Sequence, residues 1–441
     1  MKTYLTPRFL LCVALTLTTA PLLSARIIGT NPPAQPLTIE RVGYLPEALQ
    51  PAWRKYLENS LRQSKADRDF FLNEAKQASP RHRPPPPPGK QRSRLPLNEA
   101  TSWYAGPEGQ RIADIVISFQ TPAGGWSKNL DLTTRQRAPG ELFNGDTPAR
   151  HAGSSDFDPL QKLSWSYVGT FDNDATITEL RFLAKVINAI GSELDSPHRR
   201  AFLHGIDYVL AAQFPNGGWP QVWPLAGGYH DAITYNDDAM INVLQLLNDM
   251  ADGAKDFSFV PAATRTLAAA AVQRGIECIL DTQVNAHGTR TVWCQQHDLL
   301  TLQPTSARNY EMPAQVGGES AGIMIFLMRL PHPDLKLVAA VHDAAAWFER
   351  TQLRDVAFKA VGDEGRQLVA SLGAGPLWAR YYQIGSDRPV FGDRDKSIHD
   401  NVSELSQERR NGYSWFGDGP KRALEQYRQW RQWHPRLLGK R

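Results

Sequence analysis

Gln120-Thr-Pro-Ala-Gly-Gly-Trp126 and Gln213-Phe-Pro-Asn-Gly-Gly-Trp219 share the Gln, the Pro, both Gly and the Trp in register, and a looser third copy runs from Gln283 to Trp293. Each copy follows an amphipathic stretch. Before Gln120, the residues Ile112, Ile115, Val116 and Phe119 fall at the spacing of one buried helix face, and comparable stretches reach Gln213, Gln283 and Gln352. The proline and the glycine pair stop the helix and turn the chain, and the tryptophan gives the loop an aromatic anchor. Trp219 is expected to pack; Trp126 is open between packing and a platform for a sugar ring.

Downstream of each loop a polar cluster opens another helix: Asp172-Asn173-Asp174, Asn236-Asp237-Asp238 and Gly317-Gly318-Glu319-Ser320. After the second, Met240, Val243, Leu244, Leu247 and Met250 mark an amphipathic helix, and after the third, Ile323 to Leu327 is apolar on every side. The unit of helix, Gly-Trp loop, long connection and polar-started helix therefore occurs three times. Such a repeat predicts an all-α chain of concentric helices, an α/α barrel of about three pairs with irregular connecting loops, its polar helix starts gathered at one end.

The rest of the chain fits around that barrel. A length of 441 residues with 41% apolar side chains supports a large core, and one main domain with appendages is expected. The net charge of +4, from 49 basic and 45 acidic residues, is too small an imbalance to argue for nucleic acid or a membrane surface. Residues 1–25 read as a signal peptide: Lys2 and Arg8, then the apolar run Phe9 to Leu15, then the small-residue site Leu23-Ser24-Ala25. Residues 26–96 hold a helical stretch around Pro51 to Gln77, with Trp53, Tyr56, Leu57 and Leu61 at helical spacing, and a stiff proline run from Pro84 to Pro88. Residues 97–441 form the barrel, and no later segment is long enough to span a membrane. Cys12 leaves with the signal, so Cys278 and Cys294 form either a disulfide or two buried thiols.

Asp and Asn at helix starts are ordinarily N-caps. Two such clusters in equivalent repeats, each with more polar groups than capping needs, point instead to a shared site. Carboxylate and amide oxygens with no His or Cys among them suit a hard cation, calcium before magnesium. Calcium takes about six to eight oxygens, so two or three protein ligands leave places for water and for a carboxylate substrate.

The stretches Gln120-Thr-Pro-Ala-Gly-Gly-Trp-Ser-Lys-Asn129, Phe171-Asp-Asn-Asp-Ala-Thr176, Thr234-Tyr-Asn-Asp-Asp-Ala-Met240, Thr291-Val-Trp-Cys-Gln-Gln-His-Asp298, Pro304-Thr-Ser-Ala-Arg308, Gly318-Glu-Ser320 and Leu377-Trp-Ala-Arg-Tyr-Tyr382 resemble polysaccharide lyase family 10, the pectate lyases. The resemblance runs in order from about Ala105 to Trp415 and says little about residues 26–100. It implies an (α/α)3 barrel catalytic domain, while secretion is expected from the signal segment and a monomer is expected as the assembly. The reaction implied is calcium-assisted anti β-elimination on α-1,4-polygalacturonate, giving 4,5-unsaturated oligogalacturonates. It makes Arg308 the catalytic base and Asn173 and Asp237 calcium ligands. Asp172 stands beside them as a ligand and active-centre residue, and Arg380 and Arg394 hold galacturonate carboxylates. Asp174, where a small residue is usual, and Ser127, where proline is common, depart from the family pattern.

The chemistry suits those residue types. The proton on C5 of the uronate is barely acidic while the adjacent carboxylate is charged and solvated, and a cation there stabilises the charge that develops. Arginine, with a solution pKa above ~12, accepts a proton only from the small neutral fraction that alkaline pH or its surroundings provide. Guanidiniums at Arg380 and Arg394 fit carboxylates as a bidentate fork. Three rivals are a non-catalytic polyuronate-binding protein of the same fold, a terpene-cyclase-like barrel suggested by the Gln-x-x-x-Gly-x-Trp pattern, and a two-carboxylate hydrolase, which would give no unsaturated sugar. His297 and Asp298 belong either to the substrate cleft or to a packed loop.

Overall fold

Helices alternate with the Gly-Trp loops as the repeat requires. The computed structural model describes residues 26–77, 95–144, 157, 168–191 and 196–436. The signal segment and the Pro84 to Pro88 run lie outside the described residues, as do residues 437–441. In chain order the helices are α1 (Ile39–Gly43), α2 (Gln50–Gln77), α3 (Thr101–Ala105), α4 (Pro107–Ser118), α5 (Ile177–Ile190), α6 (Pro197–Ala212), α7 (Ala239–Ala251), α8 (Ala262–Thr282), α9 (Gly318–Arg329), α10 (Leu335–Thr351), α11 (Gln407–Asn411) and α12 (Gly419–Trp430).

Two concentric series carry the (α/α)3 toroid. The inner helices α5, α7 and α9 pack in succession, and the outer helices α4, α6, α8 and α10 pack around them in the same order. Met240, Val243, Leu244, Leu247 and Met250 of α7 are all fully buried. On α9, Ile323, Met324, Phe326 and Leu327 are buried, because α7, α10 and α12 enclose it. One narrow face, along Gly318, Gly322, Ile325 and Arg329, stays half-buried or exposed, and the apolar sequence covers the rest of the helix.

The glutamines at the outer helix ends join one repeat to the next. The C-caps of α6, α8 and α10 are Gln213, Gln283 and Gln352, and α4 ends at Ser118, just short of Gln120. The Gln120 amide Nε2 donates to Gly124 O of its own loop at 2.8 Å and to Ala201 O of α6 at 2.9 Å. Gln213 does the same to Gly217 O at 3.0 Å and Ala271 O of α8 at 2.9 Å. Gln283 reaches Thr291 O and Ala340 O of α10, each at 2.9 Å. Gln352 donates to Glu349 O of its own turn and accepts from Arg354, reaching no further helix among the described residues, and so ends the series.

Each tryptophan then locks its loop from the other side. The indole N–H of Trp126 donates to Val116 O at 2.8 Å, that of Trp219 to Val209 O at 2.9 Å, and that of Trp293 to Ile279 O at 2.7 Å. All three rings are fully buried, so Trp126 is a packing anchor, as Trp219 is. The turn between Gln213 and Trp219 depends on Gly217: its φ is +92°, and a Cβ there would meet Arg274 O at 2.1 Å.

Some details differ from the sequence reading. Leu61 of α2 is 62% exposed and Ser60 is buried in its place, where Ser60 Oγ accepts from Leu225 N at 2.8 Å. The half beyond α10 holds short antiparallel pairs as well as irregular loops, including the hairpin Val356–Ala360 with Arg366–Ala370. Cys278 and Cys294 are both buried free thiols. Among the described residues no helix is long and apolar enough to cross a membrane.

Gln213→Ala removes two buried hydrogen bonds and leaves the Gly217 carbonyl without a donor. Its unfolding free energy should drop by about 2–4 kcal/mol with an unchanged denaturant slope, measured by urea titration. A drop smaller than about 0.5 kcal/mol would make the clamp dispensable.

Candidate active site

Two short 3-10 turns, Asp172–Asp174 and Asn236–Asp238, occupy equivalent places before α5 and α7 and touch each other. Their central residues are left-handed: Asn173 at φ 53°, ψ 40° and Asp237 at φ 52°, ψ 31°. That conformation is uncommon outside glycine, and Asn and Asp tolerate it best. The N-cap positions are Thr176 for α5 and Asp238 for α7, and neither makes a side-chain cap hydrogen bond. Capping therefore does not account for these residues.

Their side chains face other partners. Asp172 is buried and its Oδ2 takes a 2.6 Å ion pair from Lys128 Nζ, while its Oδ1 is buried without a donor. Asn173 Nδ2 lies 3.4 Å from Asn129 Oδ1. Asp237 Oδ2 accepts from Asn236 Nδ2 at 2.8 Å, and Asn236 Oδ1 accepts from Gln295 Nε2 at 2.8 Å and from Arg380 at 3.2 Å. Asp174 accepts from Asn242 Nδ2 at 2.7 Å, which ties this turn to α7.

Asp172 and Asp237 are within reach of one another, and their environments push them apart in acidity. Burial works to raise Asp172, but Lys128, with Arg308 behind it, outweighs burial and holds its carboxyl below the usual range. Burial, the Asp172 charge and the Glu319 charge push Asp237 up to about 6, against the pull of Arg380 and Arg308.

The arginines stand around this pair. Arg308 binds Glu311 in a fork: Nε donates to Oε2 at 2.9 Å, Nη2 donates to Oε1, and the Arg308 backbone N–H adds a 3.0 Å bond to Oε2. Burial opposes the Arg308 charge, yet Glu311 with Tyr310 and Tyr413 overrides it and holds the guanidinium well above its ordinary value. Arg380 pairs with Glu319 at 2.7 Å and lies over the Tyr413 ring at 4.7 Å. Arg394 sits further out, paired with Glu408 at 2.8 Å and 5.6 Å from the centre of the Tyr310 ring. Thus Asp172, Asn173, Asp237, Arg308 and Arg380 converge, and Arg394 stands at the rim.

The inner residues suit a hard cation. They offer carboxylate and amide oxygens with no His or Cys, they include the orphaned Asp172 Oδ1, and two neighbouring carboxyls disfavour each other's charge. Among the described residues no group of three or more His, Cys, Asp or Glu side chains could enclose a metal. Asp172, Asn173 and Asp237 therefore suit an ion that takes its remaining oxygens from water and ligand.

Residues 120–424 match the family model of pectic acid lyase. The chain belongs to the pectate lyases of polysaccharide lyase family 10. The solved structure of a family 10 polysaccharide lyase from Cellvibrio cellulosa is 31% identical with a TM-score of 0.62, over 79% of this chain and 99% of that one. A mutant of that enzyme in complex with trigalacturonic acid matches at 31% identity and a TM-score of 0.61, over 77% and 99%. No curated protein matched the chain. This pectate lyase is accordingly an enzyme of the lyase class acting on pectate.

Sequence reasoning passed over several residues of the pectate lyase site. Lys128 stood within a quoted stretch without a role, and Glu311 lies one helical turn past Arg308, a spacing that suggests an ion pair. Glu319 and Gln295 were quoted too, but their convergence on Arg380 and Asn236 depends on the tertiary fold. Tyr310 and Tyr413, whose rings face the arginines, left no local signal. His297 is a packed loop histidine: fully buried, it accepts from Cys294 N and faces Leu302 O, and burial pushes it down to about 4. Asp298 pairs with Arg41 at 2.5 Å.

Glu311 yields a pH prediction. Burial works to raise its carboxyl, but Arg308, with Tyr413, lowers it to about 2 from an ordinary 4.5. A depressed carboxyl stabilises the fold above its unfolded value and loses that contribution as pH falls through the folded one. Glu311→Gln should therefore be less stable than wild type by about 3 kcal/mol at pH 7. The gap should close between pH ~4.5 and ~2 in denaturant titrations across pH; a gap independent of pH would refute the assignment.

Proposed function

We propose that this pectate lyase is secreted and cleaves α-1,4-polygalacturonate by calcium-assisted anti β-elimination, releasing 4,5-unsaturated oligogalacturonates, with Arg308 as the base. The observation that carries the reading is that the Arg308 guanidinium acts electrostatically on both Asp172 and Asp237, the two carboxyls best suited to a cation. Secretion rests on the signal-like residues 1–25.

Asp172, Asn173 and Asp237 would hold calcium, and Lys128 keeps Asp172 ionised for it. When bound, calcium supplies Lewis-acid stabilisation to the carboxylate next to C5. Arg380, oriented by Glu319 and Asn236, presents positive charge to a uronate carboxylate, and Arg394 offers a second at the rim. Both act on charge already present in the ground state.

Arg308 acts on the proton. Its Nε and Nη2 are committed as donors to Glu311, and among the described residues no protein acceptor meets Nη1. Proton loss from the guanidinium is thereby confined to Nη1, so the neutral form presents its lone pair on that one nitrogen. The same carboxylate raises the Arg308 pKa, which makes the neutral form scarce at neutral pH. The C5 proton passes to Nη1, the C5 electrons form the C4–C5 double bond, and the C4–O bond breaks with its electron pair going to the leaving sugar's oxygen, which takes a proton from solvent. A terpene-cyclase chemistry finds no support here, because the tryptophans of the repeated pattern are buried and the site is lined by charge.

Activity on polygalacturonate, followed as the ultraviolet absorbance of the unsaturated product, should vanish with chelator and return with calcium. Asp237→Ala and Asn173→Ala should raise the calcium needed by at least about tenfold with circular dichroism unchanged. Full activity in the metal-free enzyme would refute the calcium mechanism.

Arg308→Ala should lose about three or more orders of magnitude in kcat while oligogalacturonate still binds, the pattern of a group that works only in the transition state. Arg308→Lys should also be poor, since an ammonium on another stem cannot place its nitrogen where Nη1 lies. The wild-type rate should climb with pH into the alkaline range. Loss of affinity in proportion to rate would make Arg308 a substrate clamp instead.

A further inference from the structure

The family match starts at residue 120, yet the chain's first described residues reach the active site. Ile27–Thr30 forms an antiparallel edge on Ser397–His399, the segment that follows Arg394. Asn31 comes next and is only 2% exposed. Its backbone N–H donates to Lys396 O at 2.8 Å. Its side-chain Nδ2 lies 3.1, 2.9 and 3.1 Å from the carbonyls of Arg308, Asn309 and Glu311. Pro32 O accepts from Ser306 Oγ, two residues before Arg308.

The 308–311 segment is a tight turn, closed by Glu311 N–H to Arg308 O at 2.9 Å and Ala307 N–H to Glu311 O at 3.0 Å. Its carbonyls converge on one point, and their dipoles repel unless a donor stands among them. The Asn31 amide is that donor. The same residue is tied through its backbone to the Arg394 loop, and Asn309 Nδ2 adds a 2.8 Å bond to Arg394 O. One arm residue thus fixes the turn that carries the base relative to the loop that carries an outer carboxylate-binding arginine.

We propose that Asn31 is a positioning residue for the elimination: it sets where the Arg308 guanidinium stands, and so the rate of proton transfer, without taking part in calcium or substrate binding. This rests on the reading of Arg308 as the base. A base displaced by about 1 Å costs on the order of 100-fold in rate, because proton transfer needs near-contact geometry.

The test uses the full mature chain with Asn31→Ala, Arg308→Ala, the double variant, and Ser306→Ala, which cuts the arm's other link to the loop. Asn31→Ala should lower kcat by about 10- to 100-fold. KM and the calcium giving half-maximal rate should stay within about twofold of wild type. In the Arg308→Ala background the Asn31 substitution should cost nothing further, since there is no longer a guanidinium to place. Ser306→Ala should show a smaller loss, again in kcat alone, and it decides the matter if Asn31→Ala does not fold. Wild-type kcat in the folded arm variant, a KM or calcium effect matching the kcat effect, or a second equal loss on top of Arg308→Ala would each overturn the proposal. Arg308→Ala with wild-type kcat would instead overturn the assignment of the base, an outcome read from that variant alone.

Discussion

A single amide at the end of an outer helix joins each repeat of this toroid to the next. Gln120, Gln213 and Gln283 each spend both N–H groups on carbonyls, one in the local loop and one in the next outer helix. In its own loop the amide satisfies a buried carbonyl that would be costly to leave unpaired, and its second N–H ties that loop to a carbonyl within the next outer helix. The clamp thereby fixes the angle at which the chain leaves each outer helix. Because Trp126 N and Trp293 N bond to Thr176 Oγ1 and Ser320 Oγ, the starts of inner helices α5 and α9 are held by the same loops. Placement of the polar turns follows from these bonds.

The turns then carry a charge arrangement that is balanced in pairs. Lys128 faces Asp172, Arg380 faces Glu319, and Arg308 faces Glu311. Paired in this way, each charge tolerates burial, whereas any one of them alone would be expensive. Asp237 has neighbours of both signs but, among the described residues, no ion pair, and burial with the neighbouring carboxylates disfavours it as an anion.

The barrel was legible because its logic is periodic. Amphipathic spacing, the Gln and Trp at fixed offsets and the apolar all-round Ile323 to Leu327 stretch each have a local physical cause, and each finds its place in the fold. From the residues alone the candidate site was legible only where it shares that repeat, in Asp172, Asn173 and Asp237; Arg308, Arg380 and Arg394 came only through the family resemblance. Glu319 on Arg380, Tyr413 beneath Arg308, Arg380 and Arg409, and Asn31 among the Arg308 loop carbonyls depend on segments brought together across 61, 102 and 277 residues for the contacts Arg380–Glu319, Tyr413–Glu311 and Asn31–Arg308. No window of sequence spans those separations. Leu61 shows the converse: its spacing is right for burial, but Ser60 takes the inward place because its hydroxyl serves a backbone N–H.

The two polar turns carry mirror-image chemistry on one backbone. Each has a buried first residue and a left-handed second one, but the acid and the amide are exchanged: Asp172-Asn173 in one, Asn236-Asp237 in the other. Asp and Asn are nearly isosteric and share the tolerance for positive φ. Asn173, Asn236 and Asp237 can therefore trade acid for amide without moving the main chain, whereas Asp172 is held to its charge by Lys128. The shape of the centre and its net charge are independent variables, so a lineage can retune its working pH or its choice of ion by single-nucleotide steps while the scaffold stays still.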